Sequence, residues 1–381
     1  MYWPCRLKIK DYNAVYTINP WQTLGSSAFF SHFSRVKHRV ILFLFMLMIG
    51  GLSAQGLEKH PDYLRGNLAL SEGQFVEAAA AFEQALLQFP DAPKGWYNLG
   101  TAHYRQKNYT HALQAFQKVL QLDSVFPRAH LNTALCLVQT GDLANAKIHF
   151  QWSMRQSPAT FEGLYYMGAL ALQEDQVDSA FYFYSQCLNQ WPEFAPALHD
   201  KGWILWQRGD INGAHQLVSK ALQMQPDHPV YLTTFSHILR AKFQGEQALQ
   251  LLMPYADQWE SNATFQMVLG SLAFERGDLE LAITCFTRVN ALLPQQPEVL
   301  LNLASAHISL GNDLEALKIL GEIEKKKLEW GPAALNTGIV YENLFQLDKA
   351  CRQWEIAQKQ GIQKANRYLK ERCEDTPASL P

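Results

Sequence analysis

The pattern that organises this chain is a set of alanines at fixed spacing. Ala78, Ala112, Ala146, Ala180, Ala214, Ala248, Ala282, Ala316 and Ala350 follow one another at intervals of 34 residues, without a slip. Twelve residues before each stands a small residue: Gly66, Gly100, Ala134, Gly168, Gly202, Ser236, Gly270, Ala304 and Gly338. Four residues after each stands a bulky one: Phe82, Phe116, Phe150, Tyr184, Val218, Leu252, Phe286, Leu320 and Trp354. Pro recurs twelve residues after the alanine, at Pro90, Pro158, Pro192, Pro226 and Pro294.

The spacing predicts two helices per unit. A small residue lets two helices approach, and a bulky residue one turn beyond the alanine fills the space beside that contact. Pro ends the second helix because it lacks an N–H and restricts the residue before it. Turn signals such as Gly141-Asp142, Gly209-Asp210, Gly277-Asp278 and Gly311-Asn312 separate the two helices. One hairpin of this size cannot bury its faces alone, so neighbours must stack to build a core.

This period and these residues resemble the tetratricopeptide repeat. The second unit matches best, with Trp96, Leu99, Gly100, Tyr104, Ala112 and Phe116 on or beside the family's signature positions. The resemblance covers about residues 59 to 362, as nine repeats beginning near 59, 93, 127, 161, 195, 229, 263, 297 and 331. It implies an all-α, right-handed superhelical solenoid. Residues 363–373, QKANRYLKERC, are expected to form the solvating cap helix of the array's end. The array with its cap is therefore placed at 55–373, with a disordered tail over 374–381. Repeat six departs most from the pattern. Ser236 replaces Gly, Glu260 replaces Pro, and Pro254 falls inside the second helix, where a kink and a local change of path are expected.

Before the repeats, Val40 to Ile49 reads VILFLFMLMI, preceded by Arg35, Lys37 and Arg39 and followed by Gly50-Gly51-Leu52-Ser53-Ala54. A basic region, a short apolar run and small residues make a secretory signal, with cleavage expected after Ala54. The run is shorter than a spanning helix requires. The alternative is an uncleaved anchor, the one case in which a membrane is a partner. Residues 1–34 make an unusually long lead, and a start site assigned too far upstream accounts for it. Losing residues 1–54 leaves 27 basic against 34 acidic residues, a net charge of −7. An exported protein, periplasmic or secreted and of bacterial envelope type, is expected.

Composition narrows the function. Of 381 residues, 48% are hydrophobic and 18% charged, so the chain can build a core. Lys and Arg number 33 against 35 Asp and Glu, which leaves no basic excess for a phosphate backbone, and nucleic acid is not an expected partner. No GxxxxGK[ST], GxGxxG after a strand, HExxH or GxSxG occurs. No cysteine pair has zinc spacing, and the 12 His are scattered. No enzyme activity, cofactor or metal is expected. His103 and His307 are read as core residues. Cys136, Cys187 and Cys285 are read as small buried hydrophobes. Cys351 and Cys373 are either unpaired thiols or a disulfide tying the cap to the last repeat.

What remains is the surface of the first helices, which in the resembling family lines the concave side at positions 2, 5, 6, 9, 12 and 13 of the repeat. Some members clamp a C-terminal carboxylate with Lys and Arg there. Here position 5 reads Tyr63, Tyr97, Leu131, Tyr165, His199, Thr233, Met267, Leu301 and Leu335, so that clamp is absent. Position 12 adds Tyr104 and Trp206, and position 9 adds Trp203. Position 6 supplies Asn98, Asn132, Asn302 and Asn336, whose amides suit a peptide backbone of any sequence. In part this resembles the asparagine ladder of glycan-transferring members of the family.

The expected partner-binding residues are therefore Tyr97, Asn98, Tyr104, Asn132, Tyr165, Trp203 and Trp206. Aromatics with polar handles make low-entropy contact surface. The expectation is a non-enzymatic protein-interaction scaffold of the cell envelope that takes a peptide or helical segment. The alternative is a carbohydrate- or cell-wall-binding module using the same Trp and Tyr.

Overall fold

The computed structural model describes residues 56–155, 161–325 and 330–373; the expected signal segment and the tail after 373 lie outside these. Among the described residues every regular element is helical, and no helix is long and apolar enough to cross a membrane. The chain forms two compact units, the first ending at Ala197 and the second beginning at Leu198.

In the first unit the helix pairs are Pro61–Ser71 with Phe75–Gln88, Pro93–Arg105 with Tyr109–Leu122, Ala129–Thr140 with Leu143–Arg155, and Phe161–Gln173 with Val177–Gln190. The helix Ala195–Gln207 carries the boundary between the units. It is followed by Ile211–Met224, then Pro229–Ala241 with Gly245–Leu252. The pairs Ala263–Arg276 with Leu279–Leu292, Pro297–Ser309 with Asp313–Glu324, and Gly331–Asn343 with Leu347–Lys359 complete the repeats.

The periodic residues do what their spacing requires. All nine alanines are fully buried, and the bulky residues four positions later are at most 2% exposed. Where the small position is Gly, it faces the bulky one inside the hairpin. A Cβ placed on Gly66 would lie 2.6 Å from the Phe82 ring, and one on Gly168 would lie 2.6 Å from the Tyr184 ring. No side chain fits there without displacing the ring that fills the hairpin.

The turn between the two helices follows one rule throughout. Position 15 of every repeat is left-handed: Gly73, Lys107, Gly141, Asp175, Gly209, Phe243, Gly277, Gly311 and Phe345, with φ from 58 to 94°. The N–H of the next residue then returns to a carbonyl five residues earlier, as Gln74 does to Ala69 at 2.8 Å and Gln244 to Leu239 at 2.9 Å. This is the Schellman closure of a helix. Where position 16 is Asp it caps the following helix: Asp210 accepts from the Gly213 N–H, and Asp278 from that of Leu281.

Repeat six differs from the expected kink. Pro254 sits in a 3₁₀ turn, Met253–Tyr255, and the α-helix stops at Leu252 instead of bending. The unwound backbone needs other partners. Gln266, fully buried on the next first helix, donates from Nε2 to the carbonyls of Ala256 at 2.8 Å and Trp259 at 3.2 Å.

The array ends in a short helix, Gln363–Tyr368, that continues as a π-helical turn over Leu369–Cys373. Ala365 is fully buried and Tyr368 stacks on Trp354 at 4.8 Å. Cys351 and Cys373 form a disulfide between the last repeat and this cap.

Candidate functional site

The seven residues expected to line one groove fall in two units, five in the first and Trp203 and Trp206 in the second. The first helices carry all of them. Position 5 of one repeat meets position 6 of the next, 35 residues on, and that contact decides which side chains remain available.

In the first unit the meeting is polar. Asn98 Nδ2 donates to the Tyr63 hydroxyl at 3.0 Å and to Asn67 Oδ1 at 2.9 Å. Asn132 Nδ2 donates to the Tyr97 hydroxyl at 3.0 Å. The same slot recurs in the second unit. His199 Nε2 pairs with Thr234 Oγ1 at 2.9 Å, and Asn302 Nδ2 reaches Met267 Sδ at 3.5 Å. Asn336 Nδ2 instead donates to Ser305 Oγ at 2.9 Å. This corrects the role expected for the asparagines. Their donors join successive repeats, and both N–H groups of Asn98 are engaged within the array.

The tyrosines are sorted by burial. Tyr165 is 3% exposed, packed edge-on against Phe194 at 5.3 Å and tilted against Tyr184 at 5.7 Å. It is a core residue and offers no contact surface, contrary to the expectation. Tyr97 is half-buried between Phe116 and Phe126. Burial raises its pKa, against the pull of nearby Arg128 and of the Asn132 hydrogen bond. Arg128 is itself held by Glu162 at 2.9 Å. Tyr104 is half-buried, edge-on to Tyr109 at 5.5 Å, and burial pushes its hydroxyl far above its ordinary value.

In the second unit Trp203 and Trp206 sit on the helix Ala195–Gln207, both partly exposed. Three residues apart, they share a face. Trp206 stacks on His237 of the following repeat at 5.9 Å and 17°, and packs against Ala214, Val218 and Ile238. Beside them lies a buried polar group that the sequence did not reveal. His199 and Asp200 are 3% and 2% exposed, with Nδ1 and Oδ1 at 2.8 Å. The His199 ring stacks on Tyr231 at 4.8 Å, and Tyr231 stacks on His228 at 3.9 Å. Burial, then His199, depresses the His228 pKa to about 4. Among the described residues the three unpaired cysteines are buried, and burial pushes Cys136 and Cys187 up to about 12 and Cys285 to about 11, so they are thiols rather than nucleophiles.

Family models described as tetratricopeptide repeat match residues 63–125 and residues 273–335, in register with the helix pairs above. This chain is a tetratricopeptide repeat protein. Among curated proteins it is similar to the human protein O-mannosyl-transferase TMTC3, 23% identical over 299 residues, which is 73% of this chain and 32% of that one. It is also similar to cellulose synthase operon protein C of Pseudomonas fluorescens, 28% identical over 116 residues, or 30% of this chain and 9% of the relative. The chain thus spans about a third or less of the length of these relatives. The solved structure of PilF from Pseudomonas aeruginosa superposes with a TM-score of 0.50 at 17% identity, over 55% of this chain and 96% of that one, a likeness of fold. Tetratricopeptide arrays are scaffolds for protein–protein interaction, and their repeats are generally non-catalytic.

Proposed function

We propose that this protein is an exported interaction scaffold of the cell envelope, and that a peptide or helical segment of its partner docks on the first-helix face around Trp203 and Trp206. The observation that carries this reading is the state of these two rings. Both indoles are partly exposed and lie three residues apart on one helix, so they present one aromatic face. Partly exposed Trp is the residue type most often found at the energetic centre of an interface. In the first unit, hydrogen bonds and ring contacts hold Tyr97, Asn98, Tyr104 and Asn132 within the array. Export rests on the apolar run from Val40 to Ile49 and the small residues after it.

The test is affinity capture with residues 55–381 from the source's envelope extract, comparing the unsubstituted protein with Trp203→Ala. Loss of one protein species in the variant supports the reading. A second reading is supported by the names of two relatives, a mannosyl-transferase and a cellulose synthase operon protein. In it the same indoles stack on sugar rings. Retention of the protein on insoluble cell-wall glycan, lost in Trp203→Ala, favours that reading over a protein partner.

A further inference from the structure

We propose that His130 and His149 form a binding site for a divalent transition metal of the imidazole-preferring class, such as Zn²⁺ or Cu²⁺. Sequence alone gives no hint of it, because the two residues are 19 apart and belong to no metal-binding spacing. The fold brings them together. His130 lies in the first turn of Ala129–Thr140 and His149 in the antiparallel helix Leu143–Arg155 of the same repeat.

The two Nδ1 atoms are 3.0 Å apart. In the metal-free protein one of them must donate and the other accept, so the rings are opposite tautomers. Two imidazoles bound to tetrahedral zinc at about 2.0–2.1 Å have their nitrogens roughly 3.3 Å apart. The distance is therefore already close to that of a ligand pair, and a rotation of the rings by roughly 35° would point both lone pairs at a shared ion. On metal binding the ring that donated shifts its Nδ1 proton through solvent to its own Nε2, so both neutral rings then carry their hydrogen on Nε2 and present a bare Nδ1.

The indole of Trp152 stacks on the His130 ring at 5.8 Å and 16°, and Arg155 lies over that indole at 5.3 Å. Trp152 is 49% exposed, so the pair borders solvent.

Among the described residues no group of three or more His, Cys, Asp or Glu converges on a common point. The site supplies two protein ligands and leaves its other positions to water or to a donor from outside. A site of that kind is reversible and open, unlike a structural zinc site, which takes four protein ligands. Imidazole donors without thiolate or carboxylate favour zinc, copper and nickel over magnesium or calcium.

The test titrates the full chain, carrying no polyhistidine tag, with ZnCl₂ by calorimetry and with CuCl₂ by fluorescence and electron paramagnetic resonance. The expected result is one saturable zinc per chain. His130→Gln and His149→Gln should each weaken it at least about tenfold, while His103→Gln leaves it unchanged. Copper should quench Trp152, so Trp152→Phe loses that part of the signal but keeps the calorimetric stoichiometry. The copper spectrum of the unsubstituted protein should show two coordinated imidazole nitrogens, a readout that needs no variant to fold. Equal zinc affinity in His149→Gln, a copper spectrum with no imidazole nitrogen, or no saturable binding below millimolar metal would overturn the proposal.

Discussion

Asn132 Nδ2 donates to the Tyr97 hydroxyl at 3.0 Å, joining position 6 of the third repeat to position 5 of the second. The bond sits among partly buried groups, so losing one partner strands the other. Tyr97→Phe should therefore destabilise the first unit by about 1 kcal/mol. Urea unfolding followed by circular dichroism checks this. Unchanged stability would mean that the pair is replaced by water at no cost and does not knit the repeats together.

Phe243 and Phe345 are 99% and 96% exposed, and both hold left-handed backbone, with φ of 62 and 58°. Five of the other seven repeats place Gly at this position. The backbone cost for a bulky residue is about 1–2 kcal/mol, and the exposed rings recover little of it by packing. Phe243→Gly and Phe345→Gly should each raise stability by about 1 kcal/mol in thermal unfolding. A fall in melting temperature would show that the rings make contacts that outweigh the strain.

The Cys351–Cys373 bond closes a loop with a sequence separation of 22. In the chain-entropy account such a loop contributes roughly 3 kcal/mol. Reduction, or Cys373→Ser, should lower the melting temperature and release the cap, which exposes Trp354 as Tyr368 leaves it. Trp fluorescence with and without reductant reports both effects. An unchanged emission maximum after full reduction would show that packing of Ala365 and Tyr368 holds the cap without the bond.

Acid should weaken the second unit. His228 has its pKa depressed from 6.5 to about 4, by burial first and by His199 next, with Asp227 and Asp200 opposing. The unfolded chain therefore binds a proton that the folded chain refuses once the pH falls below 6.5. Stability contributed by the neutral ring is present above that value and is lost progressively down to about pH 4. His228→Gln should flatten this part of the stability–pH curve. The same slope in the variant and in the parent would assign the acid sensitivity to other groups.

The hairpins were legible because they rest on identities at fixed positions. An alanine, a small residue and a bulky residue repeated every 34 residues specify one packing geometry, and the alanine and the bulky residue are buried at every repeat. The fate of the first-helix face was less legible. Whether Asn132 meets a ligand or Tyr97 depends on the stacking of one hairpin on the next, which the periodicity implies but does not orient. A signal was present: Tyr63 with Asn98, and Tyr97 with Asn132, are both 35 residues apart. Pro254 marked the irregular repeat, but a proline is compatible with a kink or a stop. The buried Gln266 amide, which takes up the freed carbonyls, allows the helix to stop. Phe243 and Phe345 hid a left-handed turn that Gly marks elsewhere, and the pairing of His130 with His149 needed the hairpin itself.

The central claim is that the partner docks on Trp203 and Trp206, of which Trp206 also stacks on His237 and packs against the core of the repeat. The most direct measurement is the binding and melting of Trp203→Ala beside Trp206→Ala, with the partner captured from envelope extract as the binding probe. The account predicts that Trp203→Ala weakens binding by roughly 2 kcal/mol or more with an unchanged melting temperature, and that Trp206→Ala lowers both. A Trp203→Ala variant that melts lower but binds as the parent does would make that indole a packing residue and contradict the account.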